Sequence, residues 1–560
     1  MGGPCAEPAK RVGPRRAEVV PTRSSAPGPE TPGAASATGP RTGGGSAAWV
    51  ATGLAALAAF AAVSGCRHPA GDAPERLRIG IEAPASTLDP RFTSDANSSR
   101  IAGLVHCSLA EPDGRGGWSP ALATGWRQPD ATTWEFDLRT DARFHDGTAV
   151  TAADVVATYR SVLDAATASP KRASLPSVVA VEAEGTARVR FRLSAPDAAF
   201  FEGTTVGVLP AALAAQSRIH ATAPVGCGPY RIESAADDRI VLASFAQWHG
   251  GAISLPSIEF RVVPDTVMRT LQLRSGDLDL VQNALEPDAV RHLATGAANL
   301  RVSMSPYDAY QYLGINHRHP ALADVRVRRA IAHAIDRDAI VHHLLADQAE
   351  TATGLLPPHH AFHSSRVRRH GHDPALSRRL LDRAGLVDPD GDGPLPRLRL
   401  RYTTSTVELR RRIAEVIAAN LADVGIEVSI ESYEWGTFFE DIARGDYDLY
   451  SLAWIGIRDP DLFRVVFHSA MTPPAGSNRG FFANPRMDRL TGLGRREADP
   501  ARRRAIYRRV QRLGARALPY IPLWWPKNVV VMSTRLENFT PHPAGDLSAL
   551  AHARLAPPDR

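Results

Sequence analysis

Alternation of apolar and polar side chains predicts strands throughout the chain from residue 76 onward. Residues 76–81 (RLRIGI) alternate in this way and open the folded part. Residues 132–147 (TTWEFDLRTDARFHDG) alternate on both sides of a turn, which predicts a half-buried strand pair. Further strands are predicted at 183–193, 230–244, 258–263, 398–402 and 427–432.

Apolar positions at helical spacing predict helices between these strands. Residues 101–110 (IAGLVHCSLA) form one apolar helix, and Thr151 with Asp154 has the spacing of a capping box before a second helix. Asp324 is the predicted N-cap of a long helix at 325–345. Other helices are predicted at 268–275 and 408–424. Strands and helices are therefore mixed, and the segment 398–432 reads as a strand–helix–strand unit.

The length of 560 residues and a hydrophobic content of 44% predict a globular protein of two or three domains. The net charge is +6, but nearly all basic residues are arginine and they are interspersed with acidic residues. Lysine occurs only at Lys10, Lys171 and Lys527. Such scattering gives no basic patch for a nucleic acid, so nucleic-acid binding is not expected.

The first 75 residues differ in composition from the rest. Residues 1–46 are rich in Gly, Pro, Ala and Arg, which predicts a disordered leader or a wrongly assigned start, with Val19 or Val20 as a later one. Residues 47–65 contain an uncharged apolar run that ends in Val63-Ser64-Gly65-Cys66, which resembles the lipobox of bacterial lipoproteins. Cys66 is the predicted lipidation site, and residues 66–75 form a tether. The alternative is a membrane anchor with an incidental cysteine.

The remaining cysteines can then be assigned. Cys5 lies in the leader, and only Cys107 and Cys227 belong to the exported part. Cys107 and Cys227 form either a disulfide or two separate buried thiols, and we favour the separate thiols.

Several segments, in order, resemble the family-5 extracellular solute-binding proteins. The most specific is WEFDLRTDARFHDGTAVTAADVVATY (134–159), with its Phe-x-Asp-Gly turn and Thr-x-x-Asp-Val helix. GCGPY (226–230) is similar to the Gly-x-Gly-Pro-Tyr strand entry of the family. Four more blocks follow in sequence: YLGINHRHPALADVRVRRAIAHAIDR, HDPALSRRLLDRAG, GDYDLYSLAWIGIRDPDLF and LPYIPLWWP.

The resemblance implies an α/β fold with mixed α+β sheets and two lobes, like the periplasmic binding proteins. Lobe I would comprise residues 76–305 and 527–560, with an inserted subdomain near 111–200, and lobe II residues 306–526. The implied function is capture of a peptide-like or other small solute by an ABC importer, with delivery to the permease membrane subunits. The protein would be a monomer without cofactors, lipid-anchored on the periplasmic or cell-surface side of a bacterial membrane.

Ligand-binding residues are also implied by the resemblance. Trp454 stands at the strand end that precedes the ligand loop, and Arg458 and Asp459 lie in that loop. Many peptide binders of the family have an aspartate at the position of Ile457, which holds the peptide amino group. Trp435 is a further candidate for an aromatic wall of the cleft, with packing in the core as the alternative for both tryptophans. The resemblance places Ser94, Asp95 and Thr404 at or near the cleft.

Motifs for metal binding and catalysis are weak. Asp388, Asp390 and Asp392 resemble the start of a calcium loop, but Arg399 stands where the bidentate glutamate is needed. The histidines at 359, 360, 363, 370 and 372 lack regular ligand spacing, so a solvated loop is the default reading. No nucleophile elbow, P-loop or zinc-protease motif occurs. We therefore expect no metal site and no enzyme activity.

Two alternatives to an importer receptor remain open. One is a lipoprotein of the same fold that senses or binds a partner protein without transport. The other is a carrier of a metal or a metal chelate, of the nickel type.

Overall fold

A computed structural model describes residues 76–113, 117–219, 224–391 and 393–557. The predicted leader, the apolar run, the lipobox with Cys66, and the tether lie outside these residues. Among the described residues, no helix is both long enough and apolar enough to cross a membrane.

The described residues contain strands in three larger sheets and two small ones. The strands are β1 (Arg76–Ile81), β2 (Ala110–Pro112), β3 (Trp118–Pro120), β4 (Ala123–Asp130), β5 (Thr133–Leu138), β6 (Val178–Ala183), β7 (Arg188–Leu193), β8 (Tyr230–Ala235), β9 (Arg239–Ser244), β10 (Ser257–Val262), β11 (Leu280–Gln282), β12 (Leu300–Ser305), β13 (Ala309–Ile315), β14 (Ala349–Thr351), β15 (Leu398–Ser405), β16 (Ile426–Tyr433), β17 (Leu449–Ile455), β18 (Tyr520–Pro526), β19 (Asn528–Ser533), β20 (Leu536–Glu537) and β21 (Arg554–Leu555).

Helices alternate with these strands. The α-helices are α1 (Ala96–Val105), α2 (Ala152–Leu163), α3 (Ala211–Ala214), α4 (Thr266–Ser275), α5 (Pro287–Gly296), α6 (Pro320–Ala323), α7 (Val325–Ala334), α8 (Arg337–Ala339), α9 (Pro374–Arg383), α10 (Glu408–Ala422), α11 (Trp435–Arg444), α12 (Leu462–Phe467), α13 (Pro485–Arg496) and α14 (Pro500–Ala517). Short 3₁₀ helices occupy Ala165–Thr167, Pro170–Ser174, Phe200–Thr205, Ser469–Met471 and Ser548–His552, and Ile340–Leu344 is a π-helical turn.

The first large sheet has the strand order β12-β19-β11-β1-β10-β9-β8. The strand β1 runs parallel to β10 and β11, whereas the other neighbours are antiparallel. Leu77, Ile79 and Ile81 on β1 are buried in one core with residues of α1 and β19. The predicted alternation in 76–81 therefore marks the centre of this sheet.

The second large sheet has the order β14-β18-β13-β17-β15-β16. The predicted unit at 398–432 is confirmed: β15 and β16 are parallel, and α10 connects them. Parallel neighbours need such a crossover because the chain must return to the end of the sheet at which the first strand began. Ile413, Ile417 and Leu421 of α10 are buried against Leu400 and Ile426 of the sheet.

The third sheet is smaller and antiparallel, with the order β4-β5-β7-β6, and α2 packs against it. The predicted capping box is present: Asp154 accepts from the backbone N–H of Thr151 at 2.9 Å. Phe136 and Phe191 of this sheet pack against Phe200. We call residues 117–205 the small-sheet subdomain.

The prediction of mixed α+β sheets is confirmed. The first large sheet draws its strands from residues 76–305 and 528–533, and the second from 309–455 and 520–526. The exact lobe boundaries at 305/306 and 526/527 stay predictions.

Five predicted elements differ from the structure. The strands predicted at 183–193 and 230–244 are each interrupted by a turn, before β7 in the first and between β8 and β9 in the second. The helix predicted at 325–345 breaks at Ile335, whose backbone is extended, because Asp336 accepts from Ala339 N and starts a new turn. Residues 139–147 form no strand, and β5 pairs with β4 and β7 instead. The helix predicted at 101–110 begins earlier and ends at Val105.

Cys107 and Cys227 form a disulfide, with their Cα atoms 5.3 Å apart. Of the two alternatives, the structure thus contains the pair and not the separate thiols. Gly228 N donates to Val105 O at 2.9 Å beside it, so the segment of Cys227 lies against the end of α1. A Cβ at Gly226 would lie 2.0 Å from Val105 O, which explains why this close approach needs glycine.

Candidate functional site

One cavity among the described residues has a volume of about 790 Å³. One wall comes from the small-sheet subdomain and neighbouring residues, and the other from segments that flank the second large sheet. Its lining includes Trp118, Trp134, Phe201, Glu202, Asp308, His359, His360, Phe362, Ile457, Arg458, Asp459, Arg496, Arg503, Arg504 and His542. This volume lies in the range of cavities that bind small molecules.

The loop after β17 supplies the polar part of one wall. Ile457 is buried, and its N–H donates to Asp308 O at 3.0 Å. Arg458 follows it and is half-buried; its carbonyl lies 3.0 Å from His360 Nε2. Arg458 Nε is buried and has no hydrogen-bond partner among the described residues.

Asp459 lies in the same loop but is already paired. Arg503 donates two hydrogen bonds to its carboxylate, each of 2.7 Å. Burial opposes ionisation of Arg503, but the Asp459 charge outweighs it and raises the Arg503 pKa. Two short, parallel, charge-assisted bonds give a strong and directional contact. Asp459 therefore has little free capacity for a cationic group of a solute.

Two contacts between a histidine and a carboxylate lie near the cavity. His359 Nε2 lies 2.6 Å from Asp308 Oδ1, and His542 Nδ1 lies 2.9 Å from Asp546 Oδ2. The hydrogen bond to Asp546 raises the pKa of His542. Burial favours the neutral acid at Asp546, but His542 and Ser548 outweigh it and hold the Asp546 pKa at about 2.

The wall from the small-sheet subdomain is aromatic. Trp134 and Phe201 meet edge to face with their ring centroids 5.0 Å apart, and Trp118 lies 5.6 Å from Phe201. Glu202, next to Phe201, has a buried Oε1 without a hydrogen-bond partner among the described residues. Burial raises the pKa of Glu202 to about 7.

Comparison with known proteins identifies the family. Residues 117–470 match the profile of the bacterial extracellular solute-binding proteins, family 5, middle region. The chain belongs to this family. It is 28% identical over 538 residues to the probable di/tripeptide-binding protein 5 of Pseudomonas aeruginosa. The alignment covers 90% of this chain and 100% of that protein.

Solved structures share the fold of this family-5 protein. The oligopeptide-binding protein AppA of Bacillus subtilis, in complex with a nonapeptide, superposes with a TM-score of 0.77 at 24% identity, over 86% of this chain and 99% of that one. NikZ of Campylobacter jejuni, in complex with Ni(L-His), has a TM-score of 0.77 at 21% identity, over 86% of this chain and 99% of that one. The predicted two-lobed binding-protein fold is confirmed. So is the prediction of a binding protein rather than an enzyme, because the family consists of solute-binding proteins.

The two predicted tryptophans of the family-5 protein lie outside the lining of this cavity. Trp454 is half-buried on β17, where it stacks on Tyr312 with ring centroids 6.4 Å apart, and its Nε1 has no partner among the described residues. Trp435 starts α11 and is 49% exposed, with the Arg410 guanidinium 5.1 Å from its ring.

The predicted polar residues at the other segments also lie away from the cavity lining. Ser94 is exposed, and Asp95 caps α1 by accepting from Ser98 N at 2.8 Å. Burial favours the neutral acid, but hydrogen bonds from Ser86 and Ser98 lower the pKa of Asp95. Thr404 is buried in β15, and its hydroxyl has no partner among the described residues.

The histidine side chains between residues 359 and 372 are held by contacts with other parts of the protein. The histidines at 359, 360, 363, 370 and 372 each have a ring nitrogen within hydrogen-bonding or ion-pair distance of a backbone oxygen or a carboxylate. Within the described ranges, no three His, Cys, Asp or Glu side chains are arranged to hold a metal ion. Asp392 lies outside those ranges, and Asp388 pairs with Arg397 at 3.1 Å.

The sequence offered little signal for Glu202, Trp118 and Phe201 as lining residues. Trp134 stands in the most specific family block, but its pattern indicates only a strand. These residues line the cavity only because the small-sheet subdomain packs near the loop after β17.

Proposed function

We propose that this protein is the solute-binding lipoprotein of an ABC importer, which captures a peptide-like solute between its lobes and delivers it to the permease. The observation that carries the proposal is the cavity of about 790 Å³, with aromatic side chains on one wall and the Arg458 loop on the other. Aromatic walls accept varied side chains, whereas a few polar groups orient the ligand. The relatives named as peptide-binding proteins support a peptide-like solute.

The proposed lobes are residues 76–305 with 527–560, and residues 306–526. The distribution of strands between the two large sheets supports this division. In this arrangement, β13 begins just after the first crossing between the lobes, and β18 ends just before the second. Closure of the lobes around a solute would create the form that the permease recognises.

Lipid anchoring at Cys66 is the second part of the proposal. It rests on the Val63-Ser64-Gly65-Cys66 pattern at the end of an apolar run. Two or more acyl chains on one cysteine hold a protein stably on a membrane. The folded part would then lie on the periplasmic or cell-surface side, as a monomer.

A thermal-shift screen tests solute capture. The Cys66→Ala variant, purified without an affinity tag, is heated alone and with dipeptides, tripeptides, longer peptides, opine-like compounds or nickel chelates. A bound solute stabilises the native state by about 2.7 kcal/mol at a concentration 100 times its Kd, and raises the melting temperature accordingly. Stabilisation by peptides is the expected result. A broad screen without any stabilising compound would contradict solute capture.

A nickel-chelate carrier is the second candidate. It is favoured by the likeness to NikZ and by His359, His360 and His542, which all line the cavity. Imidazole is a common ligand of nickel and could complete the coordination of a chelate. Metal analysis of the untagged protein, together with stabilisation by Ni²⁺ plus L-histidine but not by peptides, would favour this function.

A further inference from the structure

Arg458 and Glu202 differ from the other charged side chains of the cavity. Each has a buried polar atom without a hydrogen-bond partner among the described residues, Arg458 Nε and Glu202 Oε1. Neither forms an ion pair there. An unpaired buried polar group is costly, and a bound ligand with the complementary group removes that cost.

Three of the nearby aspartates already have a basic side chain as partner. Asp459 is held by Arg503, Asp308 lies against His359, and Asp197 is paired with Arg495. Arg496 and Arg504 also line the cavity, but both are exposed to solvent. An anionic group of a solute would therefore meet Arg458, and a donor group would meet Glu202.

The two side chains come from opposite walls. Glu202 lies in the 3₁₀ helix Phe200–Thr205 of the small-sheet subdomain, and Arg458 lies in the loop after β17. They are close enough that the Arg458 charge favours ionisation of Glu202, yet they form no ion pair. Both side chains line the same cavity.

No carboxylate is paired with Arg458 in its surroundings among the described residues. Ile457 is apolar and buried, so the loop offers no carboxylate at that position. Lys171 lies within electrostatic range of Arg458 on the side of the small-sheet subdomain. Glu111 is also within range, but it forms no ion pair with Arg458.

We infer that the cavity recognises a dipolar solute, whose carboxylate binds Arg458 and whose ammonium or amide N–H donates to Glu202. The inference rests on the proposed function and assigns its solute class: short peptides with a free C-terminal carboxylate. A guanidinium matches a carboxylate with two parallel N–H donors, which favours this group over a neutral amide. Trp134 and Phe201 lie beside Glu202 and provide apolar contact for the side chains of the peptide.

Calorimetric titration of the Cys66→Ala protein with a defined peptide set tests this inference. The set contains dipeptides and tripeptides in four forms: free, C-terminally amidated, N-terminally acetylated, and blocked at both ends. We expect the C-terminal amide to raise Kd by about 10- to 100-fold, since the half-buried Arg458 guanidinium loses its counter-charge. Acetylation should raise Kd less, because the remaining amide N–H still donates to Glu202.

Two variants assign the effects to the side chains. Arg458→Gln should abolish the preference for the free carboxylate, and Glu202→Gln should abolish the preference for the free amine. Arg502→Gln, at an exposed arginine of α14 outside the cavity lining, is the matched control and should keep both preferences. Unchanged melting temperatures of the solute-free variants check that folding is intact.

The outcomes separate this inference from the proposed function. Peptides that bind equally well as acids and amides, or a preference that survives in Arg458→Gln, would overturn the inference and leave peptide capture standing. Absence of binding by every peptide form to the parent protein would overturn peptide capture itself.

Discussion

Arg495 and Asp197 form an ion pair of 2.6 Å, although 298 positions separate them in the sequence. Arg495 lies in the last turn of α13, and Asp197 lies in the small-sheet subdomain beside the cavity. Arg495 also pairs with Asp461, and Ala198 N donates to Arg495 O at 2.7 Å. Both carboxylates are buried. One arginine therefore joins the two walls of the cavity.

We expect Arg495→Ala to weaken the contact between these walls. Loss of one partner from a buried ion pair costs about 3–5 kcal/mol when the remaining charge stays buried. Opening of the cavity hydrates Asp197, and Ser177 Oγ and Ala199 N still donate to it within its own subdomain. The part of the cost that arises at Asp197 thus falls on the closed form, whereas the part that arises at Asp461 is common to both forms. Faster solute dissociation and a larger radius of gyration in small-angle scattering are the expected results.

The neighbouring Arg496 supplies the control for this experiment. Arg496 is exposed and lines the same cavity. Arg496→Ala should leave scattering and dissociation unchanged. If Arg495→Ala behaves like Arg496→Ala in both measurements, the pair does not hold the walls together.

Solute affinity should depend on pH through Glu202. Its pKa is raised to about 7, so it is largely protonated at pH 6 in the free protein. A bound ammonium group lowers this pKa, so binding releases a proton below pH 7. Affinity for a free-amine peptide should therefore increase by up to roughly tenfold per pH unit from about pH 5 to 7, then level off.

Titrations at several pH values with the parent protein and with Glu202→Gln check this slope. The comparison is needed because Arg458, Arg503, Asp459 and Asp461 also face Glu202, and burial raises the pKa of Asp461 to about 7 as well. Glu202→Gln should remove the slope. A slope that persists in the variant would assign the effect to Asp461 or to another group.

Removal of the Cys107–Cys227 disulfide should destabilise the protein. The bond closes a segment with a sequence separation of 120, and loss of such a bond typically costs about 2–5 kcal/mol. The double variant Cys107→Ser/Cys227→Ser should unfold at lower urea concentration than the parent. The parent under reducing conditions should approach the variant, and equal stability of variant and oxidised parent would contradict a stabilising bond.

Membrane association should depend on Cys66. In cells, Cys66→Ala should move the protein from the membrane fraction to the soluble fraction and abolish incorporation of labelled palmitate. Cys5→Ala is the matched control, because Cys5 lies in the leader, and it should retain both properties. Membrane association of the Cys66→Ala variant would argue for anchoring by the apolar run at 47–63.

Local determinants explain which elements could be predicted. The N-cap Asp324 accepts from Arg326 N as expected, and the capping box at Thr151 and Asp154 is present. The strand–helix–strand unit at 398–433 follows the hydrophobic periodicity. A cap or an alternating strand depends on residues within a few positions, so the sequence alone contains the necessary information. The break at Ile335 was missed because the apolar spacing continues across it.

The candidate site was only partly predictable. Arg458 and Asp459 line the cavity as the resemblance implied, but Trp435, Ser94 and Thr404 do not. The sequence could not indicate that Arg503 pairs with Asp459, or that Glu202 faces Arg458 from another wall. Such relationships depend on how distant segments pack.

The sequence by itself determined the alternation of strands and helices, the family and the cysteines available for anchoring and pairing. The tertiary structure decided which charges are neutralised and which remain available in the cavity. The physical reason is that hydrophobic periodicity and capping act over a few residues, whereas an ion pair such as Arg495–Asp197 forms only when segments 298 positions apart are brought together.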